Sequence, residues 1–159
     1  MDELLALLRR NALETPANLA KLLGTKEAEV RAQIADYETR GIIRGYMAVV
    51  NEDQLDTGRV RAVIEVKVTP EREGGFDRVA TRISKFPEVE SLFLMSGGYD
   101  LLVFVRGPDL KTVATFVSGK LATIEGVIST GTHFMLKTYK DQGILMESEE
   151  TNERLSVSP

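Results

Sequence analysis

The amino-acid sequence predicts an α+β protein in which a small helical head precedes a sheet domain. Two observations lead to this prediction. As far as Gly41, apolar residues recur at helical spacing. From Val60 onward, stretches with the alternation of strands are separated by two further helical stretches. We therefore expect a head at 1–46, a linker strand and hinge at 47–59, and a sheet domain at 60–140.

The composition is that of a globular protein, with 43% hydrophobic and 28% charged residues. The longest apolar runs, such as Leu4–Leu8 and Leu101–Val105, are far shorter than the roughly 18 residues of a bilayer-spanning helix. Asp2 and Glu3 are unlike the basic start of a secretory signal. We therefore expect a cytoplasmic protein with no membrane partner.

Cysteine and histidine usage excludes several kinds of chemistry. The sequence has no cysteine, which excludes disulfides, thiolate metal ligands and a cysteine nucleophile. It has a single histidine, His133, so a site with several histidine ligands is impossible. The sequence also shows no phosphate loop, paired-carboxylate signature or nucleophile elbow. We expect no metal, no cofactor and no catalytic residue.

The formal charge of −4 lies in the last residues of the chain. Residues 141–159 hold five acidic residues against one arginine, whereas residues 1–140 hold 19 of each sign. We expect a neutral body and an acidic tail at 141–159 that frays. A neutral body lacks the bulk positive charge with which many proteins hold nucleic acid. DNA binding would therefore need locally placed charge, several binding heads, or both.

Three helices are predicted in the head. The first carries an apolar stripe of Leu4, Leu5, Leu7 and Leu8, extended by Ala12 and Leu13. Thr15 and Pro16 mark the start of the second helix, because a threonine oxygen caps free N–H groups and proline suits the first helical position. Gly24 is expected to end that helix.

The third helix is predicted to begin with Thr25 as its N-cap and to close at Gly41. Val30, Ile34 and Tyr37 fall on one side of it and are expected to face the core. The link between the second and third helices is short and contains glycine, which is typical of a helix-turn-helix. Any small three-helix bundle has this pattern, so the pattern alone leaves DNA binding and a purely structural head both open.

A strand at Ile42–Val50 is expected to leave the head, and six elements follow in the order βαββαβ. They are predicted at Val60–Val68, Phe76–Phe86, Val89–Ser96, Asp100–Arg106, Asp109–Thr123 and Val127–Tyr139. Gly97-Gly98 forms the hairpin turn between the second and third of these strands, and Pro70–Gly75 is a loop. This order is the ferredoxin-like arrangement.

The strand Leu101–Val105 is apolar at every position and does not alternate. Both of its faces are therefore expected to be buried. In a ferredoxin-like domain, helices cover one face of the sheet. A second copy of the same sheet is the simplest cover for the other face, which predicts a two-fold homodimer.

Three stretches resemble the Lrp/AsnC (leucine-responsive/asparagine-responsive) family of bacterial and archaeal transcription regulators. They are Val30–Ile34 with Glu38 and Gly41–Tyr46, then Gly98–Leu102, then Gly126-Val127 with Thr130 and Thr132. The ordered set carries the resemblance, which extends over residues 2–140. It implies an N-terminal DNA-binding domain, a C-terminal amino-acid-sensing domain, dimers with octamers as the larger assembly, and an effector bound between subunits near the Gly-Tyr-Asp turn.

The resemblance places DNA contacts on and beside the third helix. The candidate residues are Thr25, Lys26, Glu29, Arg31, Ala32, Gln33 and Arg44. Free N–H groups at a helix start favour phosphate, glutamine can read an adenine edge, and glutamate can accept from cytosine. The family usually carries arginine at the position of Gln33, and Gly24–Arg40 has a net charge of −1, so each head offers few phosphate contacts. A solvated helix face is the alternative.

The candidate effector residues are Ser96, Gly97, Gly98, Tyr99, Asp100, Thr130 and Thr132. Backbone N–H groups of the turn can hold an α-carboxylate, and Asp100 can hold an α-ammonium group. Thr130 and Thr132 share one face of the last strand and are expected to offer hydroxyls toward the same subunit interface. The alternative is an ordinary glycine hairpin turn with two β-branched strand residues.

The sequence thus predicts a sequence-specific DNA-binding regulator, not an enzyme, whose assembly or DNA affinity responds to a small effector. The resemblance implies an amino acid as that effector. One alternative is a metabolite-sensing oligomer whose head does not bind DNA. The other is an enzyme related to the haem-pathway (siroheme) decarboxylases, some of which resemble this family. Those enzymes use more than one histidine together with arginine, whereas this chain has only His133.

Overall fold

The computed structural model describes residues 2–55, 57–70 and 75–147. The chain divides into two compact units, Met1–Val50 and Asn51–Pro159. No helix in the described ranges is long and apolar enough to cross a membrane. The structure confirms the α+β class, with helices and no strand among residues 2–50 of the first unit and a mixed sheet and helix arrangement in the second.

The first unit contains three helices, α1 (Glu3–Arg10), α2 (Pro16–Leu23) and α3 (Glu27–Thr39). Its core is formed by the buried side chains of Leu4, Leu8, Leu19, Ala20, Val30 and Tyr37. The predicted extension of the first apolar stripe is wrong, since α1 ends at Arg10 and Leu13 is 91% exposed. The cause is Asn11, whose side chain accepts a hydrogen bond from the Leu13 N–H and ends the helix in a turn.

Of the caps predicted for α2 and for the start of α3, two are confirmed and one is wrong. The Thr15 hydroxyl accepts the Asn18 N–H at 3.2 Å, and Gly24 ends α2 with a φ of 65°. Thr25, however, does not cap α3. Lys26 occupies the N-cap position without a capping side-chain bond, and the Thr25 hydroxyl donates to the Glu29 carboxylate instead.

Gly41 closes α3, as predicted, with a φ of 68°. The N–H groups of Ile42 and Ile43 both donate to the carbonyl of Tyr37, at 2.8 and 3.1 Å. The strand predicted at Ile42–Val50 is wrong, because none of these residues is paired in a sheet. Their composition suits a strand, but a strand also needs a neighbouring backbone to complete its hydrogen bonds.

The second unit has the predicted βαββαβ order. Its elements are β1 (Val60–Val68), α4 (Asp77–Ile83), β2 (Val89–Leu94), β3 (Leu101–Gly107), α5 (Leu110–Phe116) and β4 (Val127–Phe134). The strands form one antiparallel sheet in the order β2-β3-β1-β4. This is the ferredoxin-like topology, so the fold prediction is confirmed.

The core of this unit lies between one face of the sheet and the helices. The buried strand residues are Ala62, Ile64, Val66, Val68, Leu101, Val103 and Val105, which meet Val79, Ile83, Val113 and Phe116 of the helices. The predicted cap of α5 is confirmed, since the Asp109 carboxylate accepts the Thr112 N–H at 2.7 Å. A short π-helical stretch, Val117–Leu121, follows α5.

Several boundaries differ from the prediction, and α4 and β4 end earlier, at Ile83 and Phe134. The expected fraying at 141 is also wrong, since β5 (Lys140–Asp141) and β6 (Ile144–Leu145) form a small hairpin. Gln142 and Gly143 both have positive φ, 47° and 87°, as a two-residue hairpin turn requires. Residues 71–74 of the predicted loop and 148–159 of the predicted tail lie outside the described residues.

Candidate DNA-binding and effector sites

The outer face of α3 is the head's candidate DNA-binding surface. Val30 and Tyr37 are buried against the core, as predicted, and Ile34 packs at its edge. Because successive helix residues are about 100° apart, Ala28 and Ala32 lie on the opposite side, where both are exposed. Small side chains at these two positions leave the helix backbone open to a close partner.

The charges on α3 are largely paired with one another. Arg31 binds Glu27 with an N–O distance of 2.6 Å, and Arg40 binds Asp36 at 2.9 Å. Both are exposed pairs one helical turn apart, so each contributes only a few tenths of a kcal/mol. Residues 1–50 hold seven acidic and seven basic residues. A phosphate group approaching α3 would compete with these carboxylates for Arg31 and Arg40.

The start of α3 brings Thr25, Lys26 and Glu29 together. All three are exposed, and the Thr25 hydroxyl is bound to the Glu29 carboxylate. Lys26 stands at the N-cap position, where the first free N–H groups of the helix lie. An anion at this end would meet those N–H groups and a lysine, but also the carboxylates of Glu27 and Glu29 in the first turn.

Gln33 is placed differently from the outer-face residues. Its Nε2 lies 2.6 Å from the Tyr37 Oη and 3.2 Å from Asp2 Oδ2. It therefore lies on the flank of α3 that meets the start of α1. Burial raises the pKa of the Tyr37 hydroxyl, and the neighbouring Asp2 carboxylate raises it further.

Arg44 and Tyr46 lie on the chain that leaves α3. The guanidinium of Arg44 covers Gly41, so a Cβ at Gly41 would lie 2.9 Å from Arg44 Cζ. The Tyr46 hydroxyl donates to Glu38 Oε1 at 2.9 Å. Desolvation raises the pKa of Tyr46, and the bond to Glu38 adds to the effect. These contacts hold the residues that follow α3 against the end of that helix.

The predicted effector turn joins β2 to β3. Ser96, Gly97 and Gly98 are exposed, Tyr99 is half-buried, and Gly97 has a φ of 131°. Asp100 is tied into the sheet, because its Oδ2 accepts the Val68 N–H at 2.8 Å. The turn therefore presents backbone groups to solvent, while one oxygen of the Asp100 carboxylate already has a structural partner.

Thr130 and Thr132 do not lie on the open face of the sheet. In the β1–β4 register they stand opposite Val66 and Ile64, whose side chains are buried beneath the helices. Side chains of directly paired strand residues point to the same face. Their hydroxyls therefore lie on the helix side of the sheet, and their contribution to an effector site between subunits stays a prediction. The alternate β4 residues, including His133, lie on the open face.

The open face carries an apolar patch formed by Val63, Phe93, Leu102 and Phe104. The rings of Phe93 and Phe104 meet edge to face, with centroids 6.0 Å apart, and Phe93 is 51% exposed. Leu102 and Phe104 are only half-buried, whereas the alternate β3 residues are fully buried. Of the two faces of this strand that were expected to be buried, one is buried and the other is only half-buried among the described residues, so burial of the second face stays a prediction.

A polar cluster, unforeseen from the sequence, borders the apolar patch. Arg61 and Arg106 stand directly opposite each other on β1 and β3. Arg106 binds Glu90 and Glu52, each at 2.6 Å, and Arg61 lies 3.4 Å from Glu90. Glu52 belongs to the linker before β1, so its partner across the fold could not be read from local spacing.

The same linker is held at two further points. The Asn51 side-chain amide donates to the Met146 carbonyl at 2.7 Å, and the Thr138 N–H donates to Asp53 Oδ2 at 3.2 Å. On the open face, His133 lies 3.6 Å from the Glu65 carboxylate and is well exposed. Across the ranges that the structure describes, no three histidine or acidic side chains are grouped to bind a metal ion.

Comparison with known proteins identifies the family. The family model described as the Lrp/AsnC ligand binding domain matches residues 61–145. Over 158 residues the chain is 44% identical to YugG of Bacillus subtilis, a helix-turn-helix transcriptional regulator, and the match covers 99% of this chain and 95% of that one. The chain belongs to the Lrp/AsnC family. Like its named relatives, this Lrp/AsnC protein is a helix-turn-helix transcriptional regulator and not an enzyme.

Further relatives of this Lrp/AsnC protein span both units. The regulator LysM of Saccharolobus solfataricus is 29% identical over 137 residues, covering 86% of this chain and 92% of LysM. A solved structure of a Neisseria meningitidis transcriptional regulator in complex with L-Met has a TM-score of 0.69 and 25% identity. It covers 89% of this chain and 93% of the other.

Proposed function

We propose that this regulator binds double-stranded DNA through the outer face of α3 and that an amino acid bound to its second unit changes that binding. The observation that carries the DNA proposal is the α2–Gly24–α3 arrangement. Gly24 turns the chain tightly, and α3 buries one side while its other side presents Ala28 and Ala32. A helix with a small, exposed outer face is suited to the major groove, which is wide enough to admit it.

The proposed DNA contacts are Thr25, Lys26, Glu29, Arg31, Ala32 and Arg44. Lys26 and Arg44 reach phosphates, Arg31 does so once it separates from Glu27, and Glu29 and Ala32 meet base edges. The head is formally neutral, so each head binds weakly by itself. When one assembly carries two or more heads, binding of the first head to DNA raises the effective concentration of the second head near the adjacent DNA site.

The proposed effector site is the turn Ser96–Asp100, in which the exposed residues Ser96, Gly97 and Gly98 offer backbone N–H groups. These groups favour a carboxylate, and the Asp100 oxygen that is not bonded to Val68 favours an ammonium group. An amino acid carries both groups, and the related Neisseria meningitidis regulator was solved with L-Met. The effector shifts the population between two assemblies and thereby changes DNA affinity.

The proposed assembly is a homodimer formed through the open face of the sheet, with an octamer as the larger form. Val63, Phe93, Leu102 and Phe104 supply a contiguous apolar centre, and the Arg61–Glu90–Arg106 cluster borders it. Apolar centres with polar rims are typical of stable interfaces. Binding to chromosomal DNA implies a cytoplasmic protein.

The test is fluorescence anisotropy of labelled DNA from upstream of the protein's own gene, at two salt concentrations, with and without a pool of L-amino acids. We expect binding that weakens with salt and changes with the pool. Ala32→Glu places a carboxylate on the outer face of α3 and should abolish binding. Ala12→Glu makes the same change at another exposed alanine of the head and should preserve it. Binding that both variants retain would contradict the proposed surface.

One observation favours a second candidate, a metabolite-sensing oligomer whose head does not bind DNA. Arg31 and Arg40 are paired with carboxylates of their own helix. The same anisotropy measurement separates the two candidates. A chain that assembles and binds amino acids, yet binds no DNA even at low salt, would have the second function.

A further inference from the structure

Gln33 is held within the head by two hydrogen bonds from one atom. Its Nε2 lies 2.6 Å from the Tyr37 Oη and 3.2 Å from Asp2 Oδ2. A glutamine amide carries two N–H donors and one carbonyl acceptor. Both donors therefore have partners on the protein, and only the carbonyl Oε1 is left for another molecule.

Tyr37 connects this contact to the rest of the head. Its side chain is buried, and its backbone carbonyl accepts the N–H groups of Ile42 and Ile43 at the end of α3. Asp2, the other partner, caps α1, because its Oδ1 accepts the Leu4 N–H at 2.9 Å. The cluster Asp2–Gln33–Tyr37 thus joins the start of α1 to the middle and the exit of α3.

We propose that Gln33 is a positioning residue that sets the orientation of α3 against α1 through Tyr37 and Asp2, and that it reads no base. This inference rests on the proposed DNA binding by α3. Gln33 was predicted from the sequence as a residue that contacts bases. Under this proposal only the neighbouring residues on the outer face of α3 have that role.

The reason that Gln33 does not read a base is the number of hydrogen-bond donors on its side chain. A glutamine that recognises adenine donates one N–H to N7 and accepts the N6 amino group on its carbonyl. Gln33 could do so only by giving up one of its two protein partners. Withdrawing it would break its hydrogen bond to the Tyr37 hydroxyl or to the Asp2 carboxylate, within the cluster that joins α1 to α3. We therefore expect Gln33 to keep its hydrogen bonds within the head and not to bind a base in the major groove.

The test measures DNA binding by the full chain and by Gln33→Ala, Tyr37→Phe and the double variant. Each is titrated against the upstream DNA and against versions with single base-pair changes. We expect Gln33→Ala to weaken binding to every sequence by one common factor, roughly three- to tenfold, with the preference among sequences unchanged. The double variant should lose less than the sum of the two single losses, because both changes break the Gln33–Tyr37 contact. Glu29→Gln, on the outer face, should alter the preference instead.

Two results would overturn the inference. One is a selective loss of preference at a single base pair in Gln33→Ala. The other is strict additivity of the Gln33 and Tyr37 changes. Either result can occur while the wild-type chain binds DNA, so it leaves the proposed function intact. Failure of the wild-type chain to bind any DNA would instead sink the proposed function.

If the wild-type chain binds no DNA, a measurement without DNA still tests the positioning role of Gln33. The hydrogen bond from Gln33 lowers the pKa of Tyr37, opposing burial and Asp2. An NMR titration of the ring signal of Tyr37 should therefore show a higher pKa in Gln33→Ala than in the wild-type chain, and no change in Glu29→Gln. An unchanged Tyr37 pKa in Gln33→Ala would mean that the cluster does not form.

Discussion

The carboxylate of Asp100 accepts the backbone N–H of Val68 at 2.8 Å, across 32 residues of sequence. Val68 is the last residue of β1, where the pairing with β4 shifts register. The Asp100 N–H in turn donates to the Val66 carbonyl at 3.0 Å. The turn that carries the candidate effector site is therefore bonded directly to the central strand, and Asp100 has both a structural role and a proposed ligand role.

Two substitutions at Asp100 separate these roles. Asp100→Ala removes the acceptor for Val68 and should lower the free energy of unfolding by about 1–3 kcal/mol. Asp100→Asn keeps an oxygen for Val68 but loses the charge that would hold an ammonium group, so it should stay close to wild-type stability and lose amino-acid affinity. Urea unfolding and calorimetric titration with L-amino acids measure the two effects. Undiminished amino-acid binding by Asp100→Asn would exclude the ligand role.

The apolar patch on the open face predicts the effect of a buried charge. Phe104→Glu should convert the proposed dimer to a monomer, because a carboxylate would be placed without a partner at the centre of the proposed interface. Thr115→Glu adds the same charge to the exposed side of α5 and should leave the dimer intact. Light scattering coupled to size-exclusion chromatography measures the mass of each variant. A dimeric, folded Phe104→Glu would place the interface elsewhere.

Two glycines near the end of α3 form a matched pair for substitution. Gly41 has a φ of 68°, and an added Cβ would lie 2.9 Å from Arg44 Cζ. Gly41→Ala should therefore destabilise the head by about 1–2 kcal/mol and displace Arg44. Gly45→Ala meets no atom within 4 Å and has no positive φ, so it should be nearly neutral. Thermal unfolding followed by circular dichroism compares them, and equal losses would contradict the role of Gly41.

Breaking the ion pair between Arg31 and Glu27 should strengthen DNA binding. Glu27→Gln removes the carboxylate 2.6 Å from the guanidinium and leaves Arg31 available to a phosphate. The plot of log affinity against log salt should steepen by about 0.9 for each additional phosphate that the head neutralises. Glu3→Gln makes the same change at an exposed acid on α1 and should leave the slope as it is. Identical slopes in both variants would mean that Arg31 does not approach DNA.

The Glu88–Lys120 pair predicts a pH dependence of stability. The hydrogen bond from Lys120, at 2.6 Å, lowers the pKa of Glu88 below its ordinary value. Because the folded pKa is the lower one, the stabilisation is present above the unfolded pKa and is lost as pH falls through the folded value. Lys120→Met should therefore cost stability at pH 7 and progressively less toward acid pH. A cost that stays the same between pH 7 and pH 3 would assign the effect to Lys120 packing on Phe86 and Phe116.

The sequence predicted those parts of the fold that depend on local signals. The alternation in Val60–Val68 placed Ala62 and Ile64 in the core, and Thr15 and Asp109 are caps that act within three residues. Gly24 and Gly41 end their helices because each adopts the left-handed conformation that a helix end requires. These signals act over one or two turns of chain, so a single sequence is enough to read them.

The missed features depend on partners distant in sequence. The face occupied by Thr130 and Thr132 is set by the register of β4 against β1, and the role of Glu52 by its contact with Arg106. Gln33 is similar, since its partner Asp2 lies 31 residues away. Periodicity fixes which residues share a face, but it does not say which neighbour that face will meet.

In the proposed homodimer, the exposed apolar patch on the sheet would tie the stability of this protein to its abundance. Protein that buries Phe93 and Phe104 against a second copy is stabilised by mass action, so its melting temperature should rise with protein concentration. A cell that makes little of the protein would then hold it mostly as separate chains, which expose two aromatic rings and are open to proteolysis and aggregation. Degradation of the unassembled form would set a lower limit on the level at which the regulator persists.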